Sequence, residues 1–316
     1  MNFLNTLQAG AAQGLWWAVM TLGVYISYRV LDAADLTVEG SFPLGAAVSV
    51  VCINAGMNPF LALLVAFVAG CLAGAVTGML NTICRIPPIL AGILTMIALY
   101  SVNIRIMSDR ASITIAADSA RTLLMHWLPI TNGTWVSILG GIVTNALLVA
   151  VLYLFFGTEI GCAMRATGQN IHMARAMGIH TRWMTILGLM LSNGLVALSG
   201  SFVAQFDYGS AMATMGQGAI VIGLASVIIG EVLFCHKDRS FAFKLIAVVL
   251  GAVIYRCIIA LALQLDFLKA TDLKLITAVI VVFALSLPVL KKQFAQGKLR
   301  RENERKLNGG GGTEHA

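Results

Sequence analysis

Side chains that could perform chemistry are scarce in this sequence, and none occurs at a catalytic or metal-binding spacing. The five histidines form no His-Glu-x-x-His pair of the kind that holds a catalytic zinc ion. The six cysteines are scattered without a Cys-x-x-Cys pair, so neither a zinc site nor a disulfide framework is indicated. No Gly-x-Ser-x-Gly nucleophile elbow occurs. We therefore predict that the chain is not an enzyme and holds no metal ion.

Loops that bind nucleotide phosphates are missing as well. Gly297 and Lys298 lack both the spacing and the following hydroxyl of a P-loop. The stretch Gly216-Gln-Gly218 lacks the third glycine of a dinucleotide-binding loop, and no strand is predicted before it. We predict no cofactor within this chain, and any energy from ATP must reach it through a partner protein.

Polar side chains inside apolar runs are the remaining candidates for function. Within a bilayer such groups are costly, so they face either a cavity or a neighbouring helix. The region 31–56 is broken by polar residues and Pro43, which predicts irregular backbone beside a cavity. For each candidate the alternative is a hydrogen bond between helices. The residues predicted to line a path across the membrane are Glu39, Ser41, Asn103, Asn193 and Gln205.

The segment 157–182 is too polar to cross a bilayer, yet its pattern is helical. It predicts two short helical pieces separated by Gly168. Asn170 is a suitable N-cap for the second piece, and Gly178 is a stop signal at its end. A short helix rich in small residues can fit a groove in a partner protein. The alternative is an ordinary polar loop.

The elements that must position these residues are membrane helices. The sequence is 59% hydrophobic and only 11% charged, whereas soluble domains carry about 25% charged residues. At about 20 apolar residues per crossing, we predict an all-α, polytopic membrane helix bundle of about eight or nine transmembrane helices. The predicted spans are 11–30, a shorter run 42–55, then 59–83, 89–107, 135–156, 183–206, 216–234, 241–263 and 275–290.

The distribution of basic residues orients this bundle. The net charge is +7, but the Lys and Arg residues lie between apolar runs and in the tail, which argues against a nucleic-acid partner. With segment 157–182 in the cytoplasm, about 15 of the 21 basic residues fall inside, and Arg256 lies within a span. Nine spans place the amino terminus outside; it lies inside if region 31–56 does not cross fully. We predict that residues 291–316 form a basic, flexible cytoplasmic tail.

Three glycines predict close helix packing. Gly70, Gly74 and Gly78 repeat every four residues on one helix face, and small residues at this spacing let two backbones approach. A helix pair within the chain is the favoured interpretation. A face between two subunits is the alternative.

Several stretches resemble a known family. They are Asp35-Leu-Thr-Val-Glu-Gly-Ser-Phe-Pro-Leu-Gly45, Leu90-Ala-Gly-Ile-Leu-Thr-Met96, Arg165-Ala-Thr-Gly-Gln-Asn170 with Gly178-Ile179, Leu191-Ser-Asn-Gly-Leu-Val-Ala-Leu-Ser-Gly200 and Ile222-Gly-Leu-Ala225. Over about residues 10 to 290 the chain resembles ABC importer permeases of the ribose and branched-chain amino acid superfamily. Within it, the chain is most similar to a subgroup paired with binding proteins for amino acids, often aromatic ones.

The resemblance implies partners and a mechanism. It implies that two copies of the chain form a homodimer embedded in the lipid of the bacterial cytoplasmic (inner) membrane. It also implies two cytoplasmic ABC ATPase subunits, which bind ATP and Mg, and an extracytoplasmic substrate-binding protein. Residues 1–290 would form the transmembrane permease domain, with a coupling helix in loop 157–182 that docks into the ATPase. Gly168→Trp is then expected to leave the protein inserted but uncoupled. The coupling residues on this basis are Arg165, Ala166, Gly168, Gln169, Asn170, Ala174, Met177, Gly178 and Ile179.

An ion-coupled secondary transporter of a small solute is the main alternative. Such carriers usually place several charged residues at the bilayer midplane and contain inverted repeats. Here the predicted spans are nearly free of charge apart from Arg256, and no clear repeat is visible. A purely structural membrane subunit is a further possibility.

Overall fold

The computed structural model describes residues 3–116, 133–234 and 240–263, together with seven positions between 275 and 286. Two π-helical turns, Ile26–Val30 and Ala204–Tyr208, extend the first and eighth helices, and strands β1 (Ser112–Thr114) and β2 (Ser210–Met212) pair antiparallel. Tail 291–316 and most of the predicted last span lie outside the described residues. The helices are α1 (Phe3–Tyr25), α2 (Val38–Asn54), α3 (Pro59–Thr82), α4 (Pro88–Ile106), α5 (Gly133–Gly157), α6 (Glu159–Gln169), α7 (Ile171–Ala176), α8 (Thr181–Val203), α9 (Ala219–Phe234) and α10 (Phe241–Ala262).

The predicted all-α polytopic membrane bundle is confirmed, apart from the small β1–β2 ribbon. Five helices in the described part are long and apolar enough to cross a membrane: α3, α4, α5, α8 with its π-turn, and α10. Helices α2 and α9 are apolar but have only 17 and 16 residues, fewer than the roughly 20 that a full crossing needs. Helix α1 is buried along most of its length within the protein.

Glycines bring α3 against α8. Gly70, Gly74 and Gly78 all face the backbone of α8, and a Cβ atom added at Gly78 would lie 2.9 Å from the Ile186 Cα. The glycine face lets the two backbones touch, and larger side chains at these positions would push the two helices apart. The three glycines therefore pack α3 against another helix of the same chain.

The direction of α1 follows from its contacts with α8. Ser192 Oγ donates to the Gly23 carbonyl at 2.7 Å, and Ser199 Oγ donates to the Trp16 carbonyl at 2.8 Å. The two helices are thus antiparallel, and α8 begins at Thr181, at the end of segment 157–182. The amino-terminal end of α1 therefore lies at the opposite end of the bundle from that segment. With the segment in the cytoplasm, this end is external.

This orientation can be tested by cysteine labelling. Met177 follows α7, whereas Met212 lies on β2 at the other end of the bundle, and both side chains are exposed. In a variant whose natural cysteines are replaced by serine, we expect Met177→Cys to react with an impermeant maleimide only in inside-out vesicles. Met212→Cys should react only in intact spheroplasts. Labelling of both from one side would contradict the topology.

Candidate functional site

Two interrupted helices meet inside the bundle. Helix α2 follows the irregular segment 31–37, and α9 follows the turns of 213–218. The Gly218 amide donates to Glu39 Oε1 at 3.1 Å, so the first turns of both helices are in contact. Gly218 has a φ of +82°, which favours glycine. Gly216 packs so closely on the Glu39 carbonyl that a Cβ atom there would overlap it.

The contact lies near the middle of the membrane span formed by α8. Ser41 Oγ, on the first turn of α2, donates to Asn193 Oδ1 at 2.7 Å, and Asn193 lies near the centre of the 28-residue span Thr181–Tyr208. From this level α2 runs away from the end of the bundle that holds segment 157–182, until Asn54 contacts the β1 segment. Helix α9 runs the other way, to Glu231, which pairs with Arg29 at 2.9 Å. Two helices that are each too short for a full crossing therefore start at one depth and run in opposite directions.

Carboxylates occupy both helix starts. Asp35 Oδ1 accepts from the Thr37 amide at 2.9 Å, and Asp35 Oδ2 accepts from Asn193 Nδ2 at 2.6 Å. Glu39 accepts from Gly218 before α9. Helix amino termini carry unpaired N–H groups and partial positive charge, so a carboxylate is stabilised there. The sequence motif 35–45 thus places one acid inside the protein and a second acid at the meeting point.

A cavity opens beside this meeting point. Its volume is about 550 Å³, within the range of small-molecule sites. Its walls come from α2, α4 and the segment before α9, and they combine apolar side chains with a few polar groups. Glu39 is the one carboxylate among the described lining residues. These are Glu39, Gly40, Pro43, Met96, Ile97, Tyr100, Ser101, Asn103, Ala213 and Gln217.

Two of the residues predicted to line a path belong to this cavity. Glu39 reaches it from α2 and Asn103 from α4. Asn103 Nδ2 donates to the Gly40 carbonyl at 3.1 Å, which ties α4 to the start of α2. Both side chains thus border the cavity while they also hold its walls together.

The other three predicted path residues form hydrogen bonds between helices. Ser41 and Asn193 bond to each other, and Gln205 Nε2 donates to Ser49 Oγ at 2.8 Å. All of these side chains are buried, and none lines the cavity. The sequence pattern could not separate these two roles, because both place a polar group inside an apolar run.

Sequence reasoning missed three polar residues of the cavity. Tyr100 and Ser101 lie on α4, and Gln217 lies between two glycines before α9. The adjacent Tyr100-Ser101 pair inside an apolar run, and an amide flanked by Gly216 and Gly218, are the signals that could have indicated them.

The predicted coupling segment has largely the expected local structure. Helices α6 and α7 follow α5, and Asn170 Oδ1 caps α7 by accepting from the His172 and Met173 amides, both at 3.0 Å. Gly178 has a φ of +81° after the end of α7. The break between the helices, however, is the extended Asn170 and not Gly168, since α6 continues to Gln169. The prediction that Gly168 separates the pieces is wrong.

Gly168 instead fixes α6 to the end of α1. A Cβ atom added there would overlap the Val30 carbonyl. Arg165 also packs inwards, with its guanidinium 5.3 Å from the centre of the Phe241 ring. Gly168→Trp would therefore displace α6 from its own bundle, so the expectation of an inserted but merely uncoupled variant does not fit this packing.

The outer face of α7 is apolar and exposed. Met173 lies on α7 and Met177 is the residue directly after it, and 65% and 75% of their surfaces are accessible. Ala174 is buried and anchors the helix. Among the other predicted coupling residues, Gln169, Asn170 and Gly178 are exposed, whereas Ala166 and Ile179 are half-buried. Paired exposed methionines are typical of adaptable protein-binding surfaces. Met177 is one of the predicted coupling residues, whereas Met173 is not.

Residues 6–285 match the family described as "Branched-chain amino acid transport system / permease component". The chain belongs to this permease family. The predicted resemblance is confirmed, and the chain is a permease subunit of an ABC-type importer of small solutes.

Individual bacterial proteins are similar to this chain over most of its length. The permease is 38% identical to the tyrosine transport system permease protein of Clostridioides difficile (strain R20291), over 85% of this chain and 87% of that protein. It is 33% identical to the uncharacterized protein RP368 of Rickettsia prowazekii (strain Madrid E), over 90% and 98%. It is 26% identical to the ribose import permease protein RbsC of Escherichia coli (strain K12), over 79% and 75%.

Proposed function

We propose that the permease imports an amino acid, with an aromatic side chain favoured, across a bacterial inner membrane at the expense of ATP. The observation that carries this proposal is the cavity at the meeting of α2 and α9, with one carboxylate in a largely apolar wall. A relative of 38% identity named for tyrosine transport supports the same solute class.

The chemistry of the cavity suits a zwitterionic solute. Glu39 Oε1 accepts from the Gly218 amide, which leaves Oε2 to accept from an ammonium group. Tyr100 and the apolar side chains of α4 offer contacts to an aromatic ring. The amide of Gln217 can donate to the solute carboxylate. Each of these groups lies on the wall of one cavity, so a single small molecule can reach them together.

The energy would be delivered at the opposite end of the helices. In this proposal α7 docks its Met173 and Met177 face into a cytoplasmic ABC ATPase subunit. Ala174 holds α7 on the bundle, and Gly168 holds the preceding helix α6 there. An extracytoplasmic binding protein would deliver the solute to the end that carries β1 and β2. A second copy of the permease would complete the path.

Neutralising Glu39 tests the solute site. Glu39→Gln keeps an oxygen that can accept from Gly218 but removes the charge that an ammonium group would pair with. A lost charge-assisted hydrogen bond is worth about 1.5–3 kcal/mol, so the rate of tyrosine uptake at saturating tyrosine should fall roughly tenfold or more. Uptake of labelled tyrosine by cells that lack the chromosomal copy measures this.

The matched control is Glu231→Gln, which removes a carboxylate at the cytoplasmic end of α9. This variant should transport normally, since its partner Arg29 is largely exposed. Equal uptake rates at saturating tyrosine for Glu39→Gln and the parent protein would contradict the proposed site.

The energy source is tested separately. Uptake should stop when cellular ATP is depleted and should persist when a protonophore collapses the ion gradient. The reverse result would favour the ion-coupled carrier.

A further inference from the structure

A second cavity lies at the cytoplasmic end of the bundle. It occupies about 410 Å³ between the α3–α4 turn and the junction of α7 with α8. Its walls contain three arginines and no carboxylate among the described lining residues. These are Asn81, Thr82, Arg85, Ile86, Pro87, Pro88, Ile171, Arg175, Thr181, Arg182 and Thr185.

The three guanidinium groups lack an acidic partner in the described part of the chain. The ion pair found in that part joins Arg29 to Glu231. No carboxylate among the described residues lies within 4.0 Å of Arg85, Arg175 or Arg182. Three cations around one pocket repel each other, and an anion would relieve that repulsion. Arginine binds phosphate oxygens particularly well, because its planar fork donates two parallel hydrogen bonds.

Local structure holds these arginines at the pocket. Arg85 has a φ of +58° in the turn between α3 and α4. Arg175 Nε donates to Thr181 Oγ1 at 2.9 Å, which orients the guanidinium, and Arg182 is the second residue of α8. A ligand bound to all three would therefore bridge the α3–α4 turn and the coupling helix α7.

The pocket lies at the level where membrane spans end. Helix α3 ends at Thr82, α4 begins at Pro88 and α8 begins at Thr181, so the arginines lie at the membrane–water interface. Large apolar side chains are exposed beside them: Ile83, Ile89 and Trp183. Tryptophan is typical of the headgroup level. The surroundings thus suit a ligand with an anionic head and apolar chains.

We propose that this arginine pocket binds the phosphate headgroup of an anionic phospholipid from the cytoplasmic leaflet, with its acyl chains on the apolar surfaces of α3, α4 and α8. Basic pockets between membrane helices on the cytoplasmic side bind such headgroups in other proteins.

The lipid and the ATPase would not compete for α7. Ile171 and Arg175 line the pocket, whereas Met173 is two residues after Ile171, about 200° around the helix at 3.6 residues per turn. Met177 follows the end of α7 and does not line the pocket. One side of α7 therefore contacts the lipid headgroup and the other contacts the partner protein.

Lipid retention measures the proposal directly. The purified full-length permease is exposed to equal amounts of phosphatidylglycerol and phosphatidylcholine, and bound lipid is counted by native mass spectrometry. We expect phosphatidylglycerol to be preferred, and Arg85→Gln/Arg182→Gln to reduce that preference at least about tenfold. Arg105→Gln/Arg110→Gln removes the same charge at the external end and should keep the preference. Arg85→Lys/Arg182→Lys keeps the positive charge of the pocket and should retain part of the preference for phosphatidylglycerol.

Four results would overturn the proposal. Equal retention of the two lipids by the parent protein would exclude a headgroup site. An unchanged preference in Arg85→Gln/Arg182→Gln would place the lipid elsewhere. Displacement of phosphatidylglycerol by millimolar inorganic phosphate alone, with acyl chains adding no affinity, would assign the pocket to a soluble phosphate. Loss of an associated ATPase from that variant, without loss of lipid, would assign the arginines to the protein partner instead.

Discussion

Replacing both Met173 and Met177 with Asp is expected to abolish ATP-driven uptake while the permease stays folded in the membrane. Both side chains are mostly exposed, so the substitution removes little packing from the chain itself. In a docked ATPase groove, however, the new carboxylates would be buried without partners. Such groups cost about 2–5 kcal/mol, which corresponds to roughly a 30-fold or greater loss of affinity.

Two measurements check this result. The amount of ATPase that copurifies with the variant should fall to background, and ATP-driven uptake in vesicles should fall with it. The matched variant Met173→Leu/Met177→Leu keeps an apolar face and should retain both properties. Normal ATPase association by the Asp variant would show that this face of α7 is not the docking surface.

Gly45→Ala is expected to prevent normal folding although it adds a single methyl group. Gly45 lies where α2 crosses α8, and a Cβ atom there would overlap the Ala197 carbonyl group. Gly200 makes the reciprocal approach to the Phe42 carbonyl. The backbone cannot move aside as a flexible side chain can. We therefore expect the free energy of unfolding to fall by at least about 3 kcal/mol, the upper end of the usual cost of overpacking. Helix α2 would then shift, and Glu39 with it.

The apparent unfolding temperature of the detergent-solubilised permease, followed by size-exclusion chromatography after heating, measures this effect. Gly157→Ala is the matched control, because no atom lies within 4 Å of a Cβ atom added there. It should unfold at the parent temperature. Equal unfolding temperatures for the two variants would disprove the close α2–α8 contact.

Local sequence signals predicted much of the coupling segment. Asn170 caps α7 through bonds to amides two and three residues away, and Gly178 supplies the positive φ after that helix. Such features depend on hydrogen bonds and dihedral angles within a few residues, so sequence alone can indicate them. Because these signals are local, they predict the wrong role for Gly168. Its reason for being glycine is the distant Val30 carbonyl, which no local pattern contains.

By itself, the sequence determined that this protein is a helical membrane bundle with few charged groups in its spans and a capped polar helix between two of them. Composition and spacing suffice for this, because lipid selects apolar runs of a set length. The tertiary structure alone decided which polar residues meet the cavity. Ser41 donates to Asn193, 152 residues away, and both side chains are buried between helices. Glu39, two residues before Ser41, instead reaches the cavity wall. Only the packing of distant helices separates those two outcomes.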